Sequence, residues 1–109
     1  MRVWLIGAAR IGIDVLYQMQ KNEEIQVVVS DISETPPAVE EGVIEKVDYV
    51  ELVTSLNVNT LARRIRPDLI LIDSGAERHN LGHVTGGSVL SEALMNEIVA
   101  ASDYPCLVL

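Results

Sequence analysis

Five short apolar runs, spaced along the chain at fairly even intervals, limit the fold more than any other feature. They are Val3–Ile6, Ile25–Val29, Tyr49–Val53, Leu69–Ile72 and Cys106–Leu109. Most are continuous rather than alternating, and several are rich in β-branched residues. Strands read this way when helices cover both faces of a parallel sheet. Only Tyr49-Val50-Glu51-Leu52-Val53 alternates, which suggests a half-exposed or edge strand. Helical patterns fill the gaps between the runs. Ile11, Val15 and Met19, with Leu16 beside them, put an apolar stripe on a helix that follows the first run. Asn22 reads as its left-handed cap, and Lys21 suits the negative helix end. Residues 59–66 form a second helix, stopped by Pro67. Residues 88–102 form the longest, with Leu90, Leu94, Ile98 and Ala101 on one stripe. The stretch 35–46 opens with Pro36-Pro37 and then loses definition among Gly42 and several glutamates. Strand and helix in alternation imply right-handed crossovers. The expected fold class is therefore α/β, a doubly wound, mainly parallel five-stranded sheet with helices on both faces.

Length and charge bound what such a sheet can serve. At 109 residues the chain makes one domain, residues 1–109, with a single modest core. Eight basic residues against sixteen acidic ones give a net charge of −8. A phosphate backbone or an anionic membrane surface is repelled by that balance, so nucleic acid and membrane insertion are not expected. A small anionic ligand is still admissible, because a local cradle of backbone N–H groups can override the global field. The single cysteine, Cys106, rules out a disulfide framework and a multi-cysteine metal site. Met1-Arg2 leads directly into the first apolar run, and with no leader or membrane span the expected location is the cytoplasm.

The chemistry is concentrated in Val3-Trp4-Leu5-Ile6-Gly7-Ala8-Ala9-Arg10-Ile11-Gly12. An apolar strand feeds a glycine turn that opens a helix, the context in which a dinucleotide fingerprint carries meaning. Gly7 supplies the tight turn and Gly12 lets the helix approach the sheet. The helix start between them presents unpaired N–H groups and a positive dipole end to a pyrophosphate. Ala9 stands at the middle glycine position, where its methyl narrows the approach. Asp31 closes the second strand nineteen positions after Gly12, matching the interval of about 20 expected for a ribose-binding acid. Ile32, Ser33 and Glu34 follow it without an arginine, so NAD is favoured over NADP. Asp31 serving only as a turn cap, with a glycine turn present for packing alone, is the plainer alternative. A methyltransferase site for S-adenosylmethionine also uses a glycine turn and an acid after the second strand.

These residues resemble known Rossmann-type NAD-binding domains. The ending Arg10-Ile11-Gly12 is similar to the N-terminal nucleotide-binding domains of RCK-type potassium-uptake regulators, and several NAD-dependent oxidoreductases begin in a similar way. The resemblance implies a Rossmann-like fold with Gly7, Ala8, Ala9, Arg10, Ile11 and Gly12 flanking the pyrophosphate. It places Asp31 and Ile32 by the ribose, and Ser74 and Gly75 along the cofactor where the fourth strand ends. After the third strand this chain reads Val53-Thr54-Ser55-Leu56-Asn57, without the acid usual in the family.

Other constellations carry less. Tyr17 and Lys21 spell the Tyr-x-x-x-Lys pair of short-chain dehydrogenases, but at the wrong end of the first helix. His79 and His83 have helical metal spacing in a glycine-rich stretch that argues against a helix, so no metal site is expected. His79 retains a claim as a proton donor facing the crevice. Thr85-Gly86-Gly87-Ser88 can cradle an anion, although a turn with Ser88 as N-cap accounts for it. Arg63, Arg64 and Arg66 complement a helix end. Cys106 reads as a small core residue. The expected function is an NAD(H)-binding module, regulatory or sensing, or the cofactor domain of a larger protein. Ligand binding is expected to quench Trp4, and the possible partners are a second copy or an attached effector domain. The alternatives are an NAD-dependent oxidoreductase, whole or fragmentary, and a module for S-adenosylmethionine. Few lysines and no substrate domain in the chain favour binding over catalysis.

Overall fold

A computed structural model describes residues 1–76 and 87–109. Five strands form one sheet: β1 (Arg2–Ile6), β2 (Gln26–Asp31), β3 (Tyr49–Val50), β4 (Leu69–Ile72) and β5 (Cys106–Val108). Every pairing is parallel and the order is β3-β2-β1-β4-β5. Among the described residues the connections hold α1 (Arg10–Met19), α2 (Pro37–Glu40), α3 (Val58–Ile65) and α4 (Gly87–Ala101), and residues 74–76 are helical as well. The expected α/β class holds, with the sheet wholly rather than mainly parallel, an arrangement consistent with Rossmann-like architecture. Among the described residues no helix is long and apolar enough to cross a membrane.

The continuous apolar runs are explained by two cores, one on each face. Successive strand residues point to opposite faces. Trp4 and Ile6 of β1 join Ile70 and Ile72 of β4 against Val58, Leu61, Ala62 and Ile65 of α3 and Met95 and Ile98 of α4. Val3 and Leu5 join Val29 and Leu71 on the other face, with Leu16 of α1, Ala38 of α2, and Ala8 and Val47 from the connections. Every β1 position from Val3 to Ile6 is buried, so a single polar substitution there strands a polar group in one core or the other. Trp4 is fully buried, and its indole N–H donates to Ser30 Oγ at 2.9 Å, which satisfies the only polar atom of the ring.

Several sequence expectations are corrected. The third strand is only Tyr49–Val50, not Tyr49–Val53. Asp48 closes it off at one end: its carboxylate accepts the Val29 N–H at 2.8 Å while its own N–H donates to Val29 O. At the other end β2 stops at Asp31, whose carbonyl takes the Glu51 N–H as the last rung. Beyond it Asn57 holds a turn, its side chain accepting from Thr54 N–H and donating to Leu52 O. Asn22 is not left-handed; α1 ends at Gln20 with φ −64°, and Asn22 instead accepts the Glu24 N–H in a local turn. The left-handed cap belongs to α3, where Arg66 has φ 56° just before Pro67. On α4 the buried stripe is Ser91, Met95 and Ile98, and Leu90 and Leu94 face outward. Ile98 is common to the expected and the observed stripe, and the core shared with α3 takes Met95 with it in place of the expected Leu94. The uncertain stretch 35–46 holds only the single turn of α2, with Pro37 at its start.

Burial raises the Cys106 thiol to about 11, because the thiolate is poorly solvated there, in line with a packing rather than a nucleophilic role. The Trp4–Ser30 bond gives a direct test of the core. Ser30→Ala leaves a buried indole N–H without a partner and is expected to cost about 1–3 kcal/mol in urea denaturation followed by Trp4 fluorescence.

Candidate functional site

The order β3-β2-β1-β4-β5 reverses direction between β1 and β4, the switch point where open α/β sheets bind ligands beyond their carboxyl ends. The chain is drawn tight at this point. Gly7 leaves β1 with φ +90°, and its N–H donates to Ser30 O at the end of β2. The Asp73 N–H donates to Ile6 O from the end of β4. Gly7 needs to be glycine: a Cβ there meets the Ala76 Cβ at 2.7 Å, on a backbone that side chains rarely adopt. Gly12 is equally constrained, since a Cβ there meets Gly7 O at 2.8 Å and Asp73 Oδ2 at 3.0 Å. Both glycines thus fill the packing roles that the sequence assigns them.

Two carboxylates organise the turn. Asp31, at the end of β2, accepts the Ala8 N–H through Oδ2 at 2.9 Å and the Ser33 N–H through Oδ1 at 3.0 Å. It therefore does cap a turn, as the plainer reading holds. Its two oxygens offer about four acceptor positions in all, so capacity for ligand hydroxyls remains. Asp73, directly after β4, is fully buried. Its Oδ2 accepts from Ala9 N–H at 3.0 Å and Gly12 N–H at 2.7 Å, and its Oδ1 from Gly75 N–H at 2.8 Å and Ala76 N–H at 3.2 Å.

Asp73 supplies from another strand what the N-cap of α1 lacks. Ala9 occupies the N-cap position and has no side-chain oxygen, while helix starts need an acceptor for their unpaired N–H groups. The charge also complements the positive end of the helix dipole. Sequence reasoning placed Ser74 and Gly75 at the end of the fourth strand and passed over Asp73 next to them. The signal was present: β2 and β4 are both apolar strands that end in an aspartate, and both aspartates arrive at the same turn.

Beside this turn lies a crevice of about 550 Å³. Ala9 and Arg10 from the head of α1 form one side, with Gly75 and Ala76 nearby. Asp31, Ser33 and Thr35 form the connection after β2, and Pro36, Pro37 and Glu40 close the far side. Of the ten residues expected at the cofactor, Ala9, Arg10, Asp31 and Gly75 line this crevice. Gly7 and Ile32 border a much smaller pocket with Asp31 and Ala76. Ala8 and Gly12 are buried behind the turn, Ser74 is buried after β4, and Ile11 lies on the first turn of α1. Ile32 is exposed rather than enclosed.

The N–H groups of Arg10 and Ile11 make no hydrogen bond among the described residues. They are the first two residues of α1 and lie between the two donors that Asp73 holds. The Ala9 methyl lines the crevice without closing it. These residues fit a dinucleotide in having two open donors and an acid nearby; Asp73 has already taken the flanking donors.

Tyr17 is exposed on the far half of α1, away from the crevice, so the Tyr17–Lys21 pair is a coincidence of spelling. Trp4 points into the core on the α3 and α4 side and does not line the crevice, so direct quenching by a ligand there is not expected. His79, His83, Thr85 and Gly86 lie outside the described residues. Among the described residues no group of three or more His, Cys, Asp or Glu side chains is placed to hold a metal. Compared with models of known families, with curated proteins and with solved structures, the chain matches none.

The buried carboxylate makes a testable demand on stability. Asp73→Ala removes the acceptor of four backbone N–H groups on two elements and is expected to lower stability by about 3 kcal/mol in chemical denaturation, the upper end for hydrogen bonds to a charged group. A loss under about 0.5 kcal/mol, the scale of ordinary surface substitutions, would show that water replaces the carboxylate without penalty.

Proposed function

We propose that the protein is an NAD(H)-binding module, a regulatory or sensing domain rather than a complete catalyst. The observation that carries this reading is the pair of N–H groups at Arg10 and Ile11 without a partner among the described residues, at the head of a helix that follows a glycine turn. In the Rossmann arrangement the pyrophosphate belongs at such a helix start. Asp31 supports the reading from the next strand. It lines the same crevice and keeps acceptor positions for the two hydroxyls of an adenosine ribose. The crevice volume also falls within the range of about 300–1,000 Å³ typical of small-molecule and cofactor sites.

Binding is favoured over turnover because hydride transfer needs a polarising acid–base group and an enclosed substrate beside the nicotinamide. The described residues around the crevice supply acids at Asp31 and Glu40 and one cation at Arg10, a set suited to holding a ribose. The likeness of Arg10-Ile11-Gly12 to RCK-type regulators supports a sensing role in which bound cofactor biases an attached domain or a second copy. Leu107, Val108 and Leu109 are exposed at and just beyond edge strand β5 and offer an apolar strip to such a partner.

Calorimetry tests the reading. NAD+ is expected to bind with micromolar-range affinity, and Asp31→Arg is expected to shift preference toward NADP+ by pairing with the 2′-phosphate. Unchanged selectivity removes Asp31 from the ribose site. No heat with either NAD+ or NADH, while S-adenosylmethionine binds, replaces the dinucleotide by that ligand.

A further inference from the structure

The outer edge of β2 is only partly covered. Gln26 and Ser30 turn their backbone groups toward β1, Gln26 N–H donating to Met1 O and Ser30 O accepting from Gly7 N–H. Alternate residues of a strand turn theirs the other way. Val29 and Asp31 accordingly meet the third strand: Val29 bonds with Asp48 through both its N–H and its C=O, and Asp31 O accepts the Glu51 N–H. Val27 faces the same way, but β3 pairs only with Ser30 and Asp31. The Asp48 carboxylate takes the place of a strand carbonyl at Val29 N–H, and nothing does so one step earlier. The N–H and C=O of Val27 and the C=O of Ile25 therefore have no partner among the described residues. Beside them lies a cavity of about 290 Å³. Leu16, Met19, Val27 and Ile44 give it apolar walls, and Lys46 and Asp48 contribute its charges. It lies by the amino-terminal half of β2 and the last turn of α1, at the end of the sheet opposite the crevice and Ala76.

We infer that this edge and cavity form a docking site for an extended, basic peptide of a partner protein. An added strand answers each of the observations at once. It brings a carbonyl to Val27 N–H, and N–H groups to the carbonyls of Val27 and Ile25, at the spacing a second backbone repeats. The residue opposite Val27 points to the same face as Val27, so its side chain enters the cavity, whose walls call for an apolar one. Charge selects the flanking residues. The segments that border the cavity, 19–25 and 44–48, carry Lys21 and Lys46 against Glu23, Glu24, Glu45 and Asp48, and the whole chain carries −8. Such a field steers a cationic partner toward the edge and repels an acidic one. The site is separate from the nucleotide crevice and holds whether or not that crevice binds NAD.

The probes are capped heptapeptides with a lysine at each end, valine, leucine or phenylalanine at the centre and threonine elsewhere. Hydrogen exchange of the full chain, read residue by residue, reports the edge. Without peptide, the Val27 amide is expected to exchange at least about tenfold faster than that of Val28, which faces β1. With at least one of the peptides at about 1 mM, Val27 is expected to slow at least about tenfold while Val28 stays unchanged. Methylating the backbone nitrogens of the central residue and the one after it is expected to abolish this protection. Glutamate in place of both lysines is expected to weaken binding at least about tenfold. Slow exchange of Val27 in the free protein overturns the inference, since the edge is then already covered, by the chain itself or by a second copy. Binding that leaves Val27 unprotected, protection that survives methylation, or no protection by any of the three peptides also overturns it. Glutamate-ended peptides binding as tightly as lysine-ended ones overturn the basic partner.

Discussion

One buried carboxylate holds the switch point of this sheet together. Asp73 directly follows β4, and its hydrogen bonds go to the head of α1 and to the segment that leaves β4. Removing a charge from water is costly unless hydrogen bonds replace its hydration, and four backbone N–H groups do so here. The exchange is reciprocal, because the same groups are orphan donors of a helix whose N-cap residue is an alanine. Neither element is satisfied without the other, so the start of α1 is fixed relative to β4 as firmly as relative to β1.

That bond exists only because of the strand order. β1 lies between β2 and β4, so the ends of both neighbours reach the turn that leaves β1. Asp31 arrives from one side and Asp73 from the other, taking the consecutive N–H groups of Ala8 and Ala9. The turn is thus held by a carboxylate on each flank, with Gly7 at positive φ beneath them and Gly12 admitting Asp73 to within 2.7 Å. A side chain at either glycine disturbs this arrangement, which ties two small residues in the sequence to two acids far from them in the chain.

Much of this was legible beforehand, and the parts that were not share a cause. The continuous runs Val3–Ile6 and Leu69–Ile72 announced central strands because burial on both faces leaves no room for polar residues. Asp31 was legible because its distance from Gly12 is set by the length of one helix and one strand. Asp73 was passed over although an aspartate after an apolar strand was visible, because the two partners that give it a role at α1, Ala9 and Gly12, lie more than sixty residues away. The register of α4 failed for a similar reason: Leu90, Leu94 and Ile98 form as good a stripe as Ser91, Met95 and Ile98, and only packing against α3 decides between them. The length of β3 was overestimated because alternation continues past Val50, whereas β2 offers no further backbone to pair with after Asp31.

The start of α1 divides its donors, Ala9 and Gly12 N–H going to Asp73 while Arg10 and Ile11 N–H are those that the proposed phosphate would use. A helix start without an internal acceptor holds its N–H groups toward solvent and gains most of its anion stabilisation from the ligand. Here two of those groups are committed to Asp73, so the folded state is complete before any ligand arrives and less is left to gain on binding. What the crevice gives up at the phosphates must be regained from the nucleosides. On the proposed reading, selective affinity would then rest mainly on Asp31, the acid at the end of β2, because Asp73 has already taken two donors of the helix start.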